Sequence, residues 1–331
     1  MYQITSNDIP LALTGDKLIE EMNKVQEGRK AIAEGLIYEH TYLMLTSEPG
    51  VGKSTVSVQA AVELAAGLPV FGYFKVPSPQ KVFYIQCERN KIELLERLKI
   101  ISEVAPIVKE NLFITDEYQK LDFMHDWSTL IQCIQRDCPN PSVIFVDPIY
   151  ATIEGEFKDG KVASQFTKVM SRISKIMNCA MWYNHHSIKQ QYSQDGSKIT
   201  KDDPFYGSQW LKAHVTGSYY MENTPEGVLL KCKKDNYRVL TQVIALNYNP
   251  ETNLCYLADP SLLQPIDRLK HFLRGKKMER KEFSFKEMTD GTKLCTRTIR
   301  ELLCTPEVKG YINVQKSNKN KYIYSFKDTV I

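Results

Sequence analysis

Short apolar runs alternate with longer stretches of helical spacing through most of this chain. Tyr42–Thr46, Val82–Gln86, Leu112–Thr115, Val143–Val146 and Ala180–Asn184 read as buried strands. Ser54–Ala66, Lys91–Val104, Trp127–Arg136 and Val162–Met177 carry helix-like patterning between them. Strands separated by helices predict βαβ units and a mainly parallel sheet, hence an α/β core. Gly227–Lys233, Thr241–Asn247 and Leu254–Leu257 read as antiparallel strands added to the edge of that sheet. Residues 1 to 38 read as an extended segment followed by a charged helix around Lys17 to Glu34.

A different pattern begins after Ala258. Asp259, Pro260 and Pro265 punctuate a predicted linker over 259–266. Beyond it, Asp267–Leu273, Phe285–Thr289 and Thr296–Leu303 read as helical pieces. Val308–Gln315 and Tyr322–Phe326 then read as a two-stranded ribbon around a loop carrying Lys319 and Lys321. Three helices and a basic ribbon form a winged-helix-like plan, in which Arg297 and Arg300 lie on the recognition helix. The expected organisation is an N-terminal segment and helix (1–38), a large α/β domain (39–258), the linker, and a winged-helix-like domain (267–331).

Charge sharpens this division. The chain has 331 residues and a net charge of +4, but residues 265–331 hold 16 Lys and Arg against 8 Asp and Glu. A basic end on a mildly acidic body predicts a polyanionic partner for that end. No run approaches the length of a membrane helix, and the N-terminus shows no basic and apolar leader pattern, so a cytoplasmic protein without a membrane partner is expected. The eight cysteines are scattered without a Cys-x-x-Cys pair, which predicts reduced thiols rather than zinc or disulfides.

The chemistry centres on Ser47-Glu48-Pro49-Gly50-Val51-Gly52-Lys53-Ser54-Thr55, between a predicted strand and a predicted helix. Small residues there let backbone N–H groups converge on an anion at a helix N-terminus. The pattern is a P-loop whose first glycine is replaced by Ser47. Residues Glu48 to Thr55 are the expected nucleotide cradle. Lys53 is expected to reach the β and γ phosphates of ATP, and Ser54 to ligate Mg²⁺.

Two acids end neighbouring strands. Asp147, before Pro148, has the position of a second Mg²⁺ ligand. Glu88, just after Val82–Gln86, has the position of a group that orients or deprotonates the attacking water. His185, at the end of the Ala180–Asn184 run, can hydrogen-bond a terminal phosphate, and its neighbour His186 can exchange roles with it. The polar stretch from Ser187 to Tyr206, with Lys189, Lys198 and Lys201, is long enough to be functional.

The order of these parts resembles the RecA-like ATPases, and within them the RepA-type hexameric replicative helicases (an AAA_25-like pattern). The resemblance rests on SEPGVGKST at Ser47–Thr55, CERNKIELLERL at Cys87–Leu98, VIFVDP at Val143–Pro148 and HHSIK at His185–Lys189. YGSQWLKAHVTGSYYM at Tyr206–Met221 and KKDNYR at Lys233–Arg238 complete it. It implies a RecA fold, ATP hydrolysis between subunits of a ring, and single-stranded DNA in the centre. Glu88 would then be the catalytic glutamate and His185 the γ-phosphate sensor. Lys189, Lys198 and Lys201 would lie on a DNA-gripping loop. Lys234 and Arg238 would reach the γ-phosphate of the neighbouring subunit. Tyr150–Gly160 would be a second loop, although its Glu154, Glu156 and Asp159 oppose phosphate.

The expected function is an ATP-driven ring motor on single-stranded DNA, of a plasmid, phage or other mobile element. Replication proteins are expected to meet it through the C-terminal domain. Two alternatives stay open. One is a RecA-like recombinase or recombination mediator. The other is an ATP-switched replication initiator or regulator that reads DNA with the C-terminal domain.

Overall fold

The computed structural model describes residues 14–24, 29–87, 91–103, 105–115, 123–187, 191–192, 198–199, 209–225, 227–249, 254–258, 265–278, 282–309, 312–316 and 322–326. Helix α1 (Gly15–Lys24) is followed by a small hairpin of β1 (Ala31–Ala33) and β2 (Ile37–Tyr38). The charge pattern predicts a helix around Lys17 to Glu34. Instead Ile32 and Ala33 are buried, and the Gly35 N–H donates to the Tyr38 hydroxyl at 2.9 Å, which closes the turn.

The core then runs β3 (Tyr42–Ser47), α2 (Lys53–Ala66), β4 (Val82–Gln86), α3 (Lys91–Ser102), β5 (Leu112–Ile114), α4 (Phe123–Asp137) and β6 (Val143–Asp147). A 3₁₀ turn over Ile149–Thr152 leads to α5 (Gly160–Met177) and β7 (Ala180–His186). Next come the short β8 (Gln191–Tyr192) and β9 (Lys198–Ile199), then α6 (Gln209–His214), β10 (Gly217–Thr224), β11 (Gly227–Asp235), β12 (Val243–Tyr248) and β13 (Cys255–Leu257). Among the described residues nine strands form the main sheet, in the order β13-β12-β11-β10-β3-β7-β6-β4-β5. The run from β10 through β5 is parallel, and β10–β11 is antiparallel. The five predicted core strands are all present. β10, parallel to β3, was not among the predicted strands.

Strand alternation sorts side chains onto two faces. One face carries an aromatic ladder: Tyr84 stacks on Phe145 with centroids 5.4 Å apart, and Phe145 on Trp182 at 5.0 Å. Helix α2 lies over this face, where Ser57 Oγ donates to Asn184 Oδ1 at 2.9 Å. The other face buries Ile144, Val146, Met181 and Tyr183 against Phe166, Met170 and Ile173 of α5 and Leu130 and Ile134 of α4. Strands covered on both faces need apolar residues at nearly every position, which is the pattern seen in the sequence.

The chain divides into two compact units. The first contains residues 1–240 and 246–256; the second contains 241–245 and 257–331. In the second unit α7 (Pro265–Met278), β14 (Phe283–Ser284), α8 (Phe285–Thr292), α9 (Thr296–Leu303), α10 (Pro306–Lys309), β15 (Ile312–Lys316) and β16 (Tyr322–Phe326) follow in order. The strands pair antiparallel as β14-β16-β15. Leu269, Phe283, Met288, Ile299 and Tyr324 form its core. Ser284 and Glu287 make a reciprocal capping box at the start of α8. The predicted strand from Val308 starts later, at Ile312, because Pro306–Lys309 forms a helical turn with Val308 buried.

Two titratable groups, the buried Glu63 and the half-buried His214, pull stability in opposite directions with pH. Burial pushes Glu63 on α2 up to about 7 from 4.5, against hydrogen bonds from Gln59 and the Phe71 N–H. Burial, and then the nearby Lys234 charge, pushes His214 down to about 4 from 6.5. Folded Glu63 holds its proton after the unfolded carboxyl has lost it, so its contribution to stability falls as pH rises from 4.5 to about 7. Folded His214 stays neutral where the unfolded ring is charged, so its contribution falls as pH drops from 6.5 to about 4. The slopes oppose each other where the windows overlap. Urea unfolding should therefore show that Glu63→Gln adds stability on raising the pH through this overlap, relative to wild type, and His214→Asn the reverse. Each difference should be about 1–3 kcal/mol. Identical pH profiles for wild type and both variants would refute the assignment.

Candidate functional site

The loop after β3 is built for an anion. Gly50 and Gly52 lie in the left-handed region at φ 81° and 98°, where a side chain would strain the backbone. Gly52 caps α2 without any side-chain hydrogen bond, and the helix ladder begins with the Val56 N–H to the Gly52 carbonyl. The amides of Lys53, Ser54 and Thr55 precede that ladder and share the positive end of the helix dipole. Glu48, Pro49 and Val51 complete the turn between strand and helix.

Lys53 is buried at this loop, with only 7% of its surface exposed. Its ammonium donates to Ser47 Oγ at 2.9 Å and to the carbonyls of Ser47 and Glu48, both at 3.3 Å. The Ser47 hydroxyl in turn donates to the Glu48 carbonyl at 2.7 Å. The residue that breaks the P-loop pattern thus holds the lysine of that pattern.

Ser54 and Asp147 come together as the sequence predicts. Ser54 Oγ donates to Asp147 Oδ1 at 3.2 Å, and the Tyr84 hydroxyl donates to Asp147 Oδ2 at 2.5 Å. The register aligns Gln86 of β4 with Asp147 of β6, and the Cys87 N–H donates to the Asp147 carbonyl at 2.9 Å. Ser54, Tyr84, Gln86, Asp147 and Arg97 of α3 line a cavity of about 10 Å³. A hydroxyl and a carboxylate oxygen side by side, next to the amide nest, fit the oxygen chemistry of Mg²⁺ on a polyphosphate. Glu88 lies outside the described residues.

The histidine pair is divided by the sheet. Parallel register aligns His185 with Thr46 and His186 with Ser47. His186 Nδ1 lies 3.4 Å from Lys53 Nζ, and its ring is 4.9 Å from the Tyr150 ring. His185 is 1% exposed and packs edge-on against Phe157 with centroids 5.3 Å apart. The residue read first as the phosphate sensor therefore faces the α5 side. Period-2 alternation puts His186 on the P-loop side.

The two cations after β10 also separate. Lys234 Nζ donates to the carbonyls of Lys212 and Ala213 at 2.7 and 3.2 Å, capping the end of α6, and burial followed by the Lys212 charge lowers its pKa. Arg238 is exposed on a turn at φ 54°. Asp235 fixes that turn by accepting from the N–H groups of Tyr237, Val239 and Leu240.

Of the DNA-contact candidates, Lys189, Lys201, Lys319 and Lys321 lie outside the described residues. Lys198 begins β9, where only its backbone is described. Arg297 is exposed and ion-paired with Glu301 at 3.0 Å, and Arg300 lies over the Phe285 ring at 5.8 Å. Tyr84, His186 and Tyr150 are the site residues that sequence reasoning did not single out as leading candidates. Strand alternation from Gln86 and from the His186–Ser47 pairing was the available signal for Tyr84 and His186; Tyr150 lies on the 3₁₀ turn beyond β6, which no strand alternation reaches. Among the described residues no cluster of His, Cys, Asp and Glu forms a separate metal site, and no helix is long and apolar enough to cross a membrane.

A family model described as an AAA domain (AAA_25) matches residues 11–192. No curated protein matches the chain significantly. A solved structure of a DnaB-like replicative helicase, described with its interactions with primase, superposes with a TM-score of 0.55 at 12% identity. It covers 76% of this chain and 68% of its own. A KaiC-like protein from the hyperthermophilic archaeon Pyrococcus horikoshii matches with a TM-score of 0.45 at 13% identity, over 70% of this chain and all of its own. The first of these likenesses supports the RecA-like fold of the core.

Tyr84 offers a direct test of the metal assignment, because its hydroxyl holds one Asp147 oxygen. Tyr84→Phe should raise the Mg²⁺ concentration needed for half-maximal triphosphate hydrolysis about tenfold, as for other groups that orient ligating carboxylates. An unchanged Mg²⁺ requirement would remove Asp147 from the metal's ligands.

Proposed function

The chain belongs to the AAA domain family, and from that premise we propose that it is an ATP-hydrolysing, ring-forming motor on single-stranded DNA, of replicative-helicase type. One observation carries the reading: Lys53, Ser54 and Asp147 meet at a single anion cradle on a RecA-like sheet. The likeness to a DnaB-like replicative helicase supports the choice of motor on the side of fold.

In this reading the amides of the first α2 turn and the Lys53 ammonium bind the β and γ phosphates. When the Lys53 ammonium turns to phosphate it gives up oxygen partners within its own loop, so binding exchanges one set of acceptors for another. Ser54 and Asp147 are the residues that would hold Mg²⁺, which supplies charge neutralisation on the phosphate oxygens. Glu88, two residues beyond Gln86, orients the attacking water and accepts its proton. His186, next to Lys53, senses the γ-phosphate in place of His185. Arg238 is the better trans cation, because it is exposed on a braced turn while Lys234 caps α6. A cation supplied from the next subunit would stabilise transition-state charge and make turnover depend on assembly. Lys189, Lys198 and Lys201 belong to the DNA-gripping segment.

The second unit is proposed as a winged-helix-like module. Its basic charge supports a nucleic-acid contact through Arg297 and Arg300 on α9, with Lys319 and Lys321 between β15 and β16. That charge also favours a second reading, an ATP-switched initiator whose C-terminal unit reads DNA. A sequence-specific footprint that survives Glu88→Gln but not Arg297→Ala would select the initiator.

ATP turnover measured with and without single-stranded DNA tests the motor. Wild type should be stimulated by the strand, Lys53→Ala should not turn over, and Glu88→Gln should lose about 10²–10⁴-fold while still binding nucleotide. Sedimentation with nucleotide should give a particle near a sixfold multiple of the 38.1 kDa chain. A monomer hydrolysing ATP at full rate, indifferent to DNA and to Arg238→Ala, would sink the proposal.

A further inference from the structure

An open groove of about 660 Å³ lies between α5 and α6, on the sheet face opposite the P-loop helix. Thr167, Lys168, Ser171 and Arg172 line it from α5, Trp210 and His214 from α6. Leu211 is fully buried and anchors α6, which turns the adjacent Trp210 outward with 58% of its surface exposed. Trp210 lies against the start of α5, where a Cβ on Gly160 would come within 3.4 Å of its ring. The other two tryptophans are used inside the fold. Trp182 is buried in the aromatic ladder, and Trp127 lies 4.8 Å beneath the Arg172 guanidinium.

The helices on either side of the groove carry charge of one sign. Helix α5 carries Lys161, Lys168, Arg172 and Lys175 and no acid; α6 carries Lys212 and no acid. The four basic residues of α5 are all exposed and spaced to share a helix face. Asp159 is the nearest acid in the chain: it caps the start of α5, where its carboxylate accepts from the Lys161 N–H at 2.7 Å, one residue before Gly160. An exposed tryptophan beside a helix face bearing Lys168 and Arg172 matches the chemistry that grips a single polynucleotide strand: a flat ring for a base and ammonium or guanidinium groups for its phosphates.

We propose that the α5–α6 groove is a binding site for single-stranded DNA, with Trp210 stacking on a base and Lys168 and Arg172 holding flanking phosphates. The proposal rests on the motor reading and extends it to a surface beyond the lysine-bearing segment between Ser187 and Gln209. A strand held there is gripped by a rigid helix pair, so its position is set by the same core that carries β6 and β7.

Fluorescence anisotropy of an end-labelled oligothymidylate of about 20 nucleotides, titrated at several salt concentrations, tests it. Trp210→Ala should weaken binding about tenfold, and Trp210→Phe should recover most of that loss. Lys168→Gln should weaken binding and reduce the salt dependence by about one ion. Lys168 is the better charge probe, since removing Arg172 also strips packing from Trp127. Wild-type affinity in Trp210→Ala and Lys168→Gln would overturn the groove assignment and leave the motor reading standing. A wild type that does not bind the oligonucleotide would overturn both. A Trp210→Ala variant that sediments differently but binds DNA as wild type does would make the groove a contact between copies and end the proposal.

Discussion

A buried ammonium group must be surrounded by oxygen, and the Lys53 ammonium organises this molecule around that need. Its oxygens come from the turn that β3 feeds into α2, so strand, loop and helix are tied to one charge. Losing those partners inside the protein would cost far more than an ordinary hydrogen bond. A terminal phosphate is the natural exchange partner, because it brings oxygens and opposite charge together. The Ser47 hydroxyl gives this lysine one more acceptor than a glycine at that position can provide.

The sheet converts the cradle into a candidate reaction centre. β7 separates β3 from β6, yet α2 spans the gap and brings Ser54 to Asp147. The ladder of Tyr84, Phe145 and Trp182 stiffens the strands beneath, and its first member extends a hydroxyl to the same carboxylate. Packing and chemistry therefore share side chains. A core substitution on this face would be felt at Asp147.

Each unit has its own logic. In the first, helix pairs on the far side of the sheet leave basic residues and Trp210 outside while burying Phe166, Met170 and Leu211. In the second, a short apolar core and a capping box stabilise helices too short to persist alone. Its surplus of positive charge lies on a small scaffold, which gives a strong local field for its size.

Much was readable in the linear chain because local chemistry dictates it. A glycine-rich turn between an apolar run and a helix can hardly be anything but an anion nest, and apolar runs ending in Asp147 have few uses. The parallel core strands followed from the same runs. Four things needed folding to be known. The histidine that meets Lys53 depends on which face of β7 points toward α2, and adjacent residues in a strand always face opposite ways. The separation of Lys234 from Arg238 depends on where α6 ends, a long-range meeting between Lys234 and the carbonyls of Lys212 and Ala213. The hairpin in place of a longer N-terminal helix, and β10 beside β3, arise from burial and pairing with distant segments, which outweigh local propensity. Residue type and spacing carry the phosphate chemistry; side-chain direction and cross-chain contacts are properties of the packed sheet.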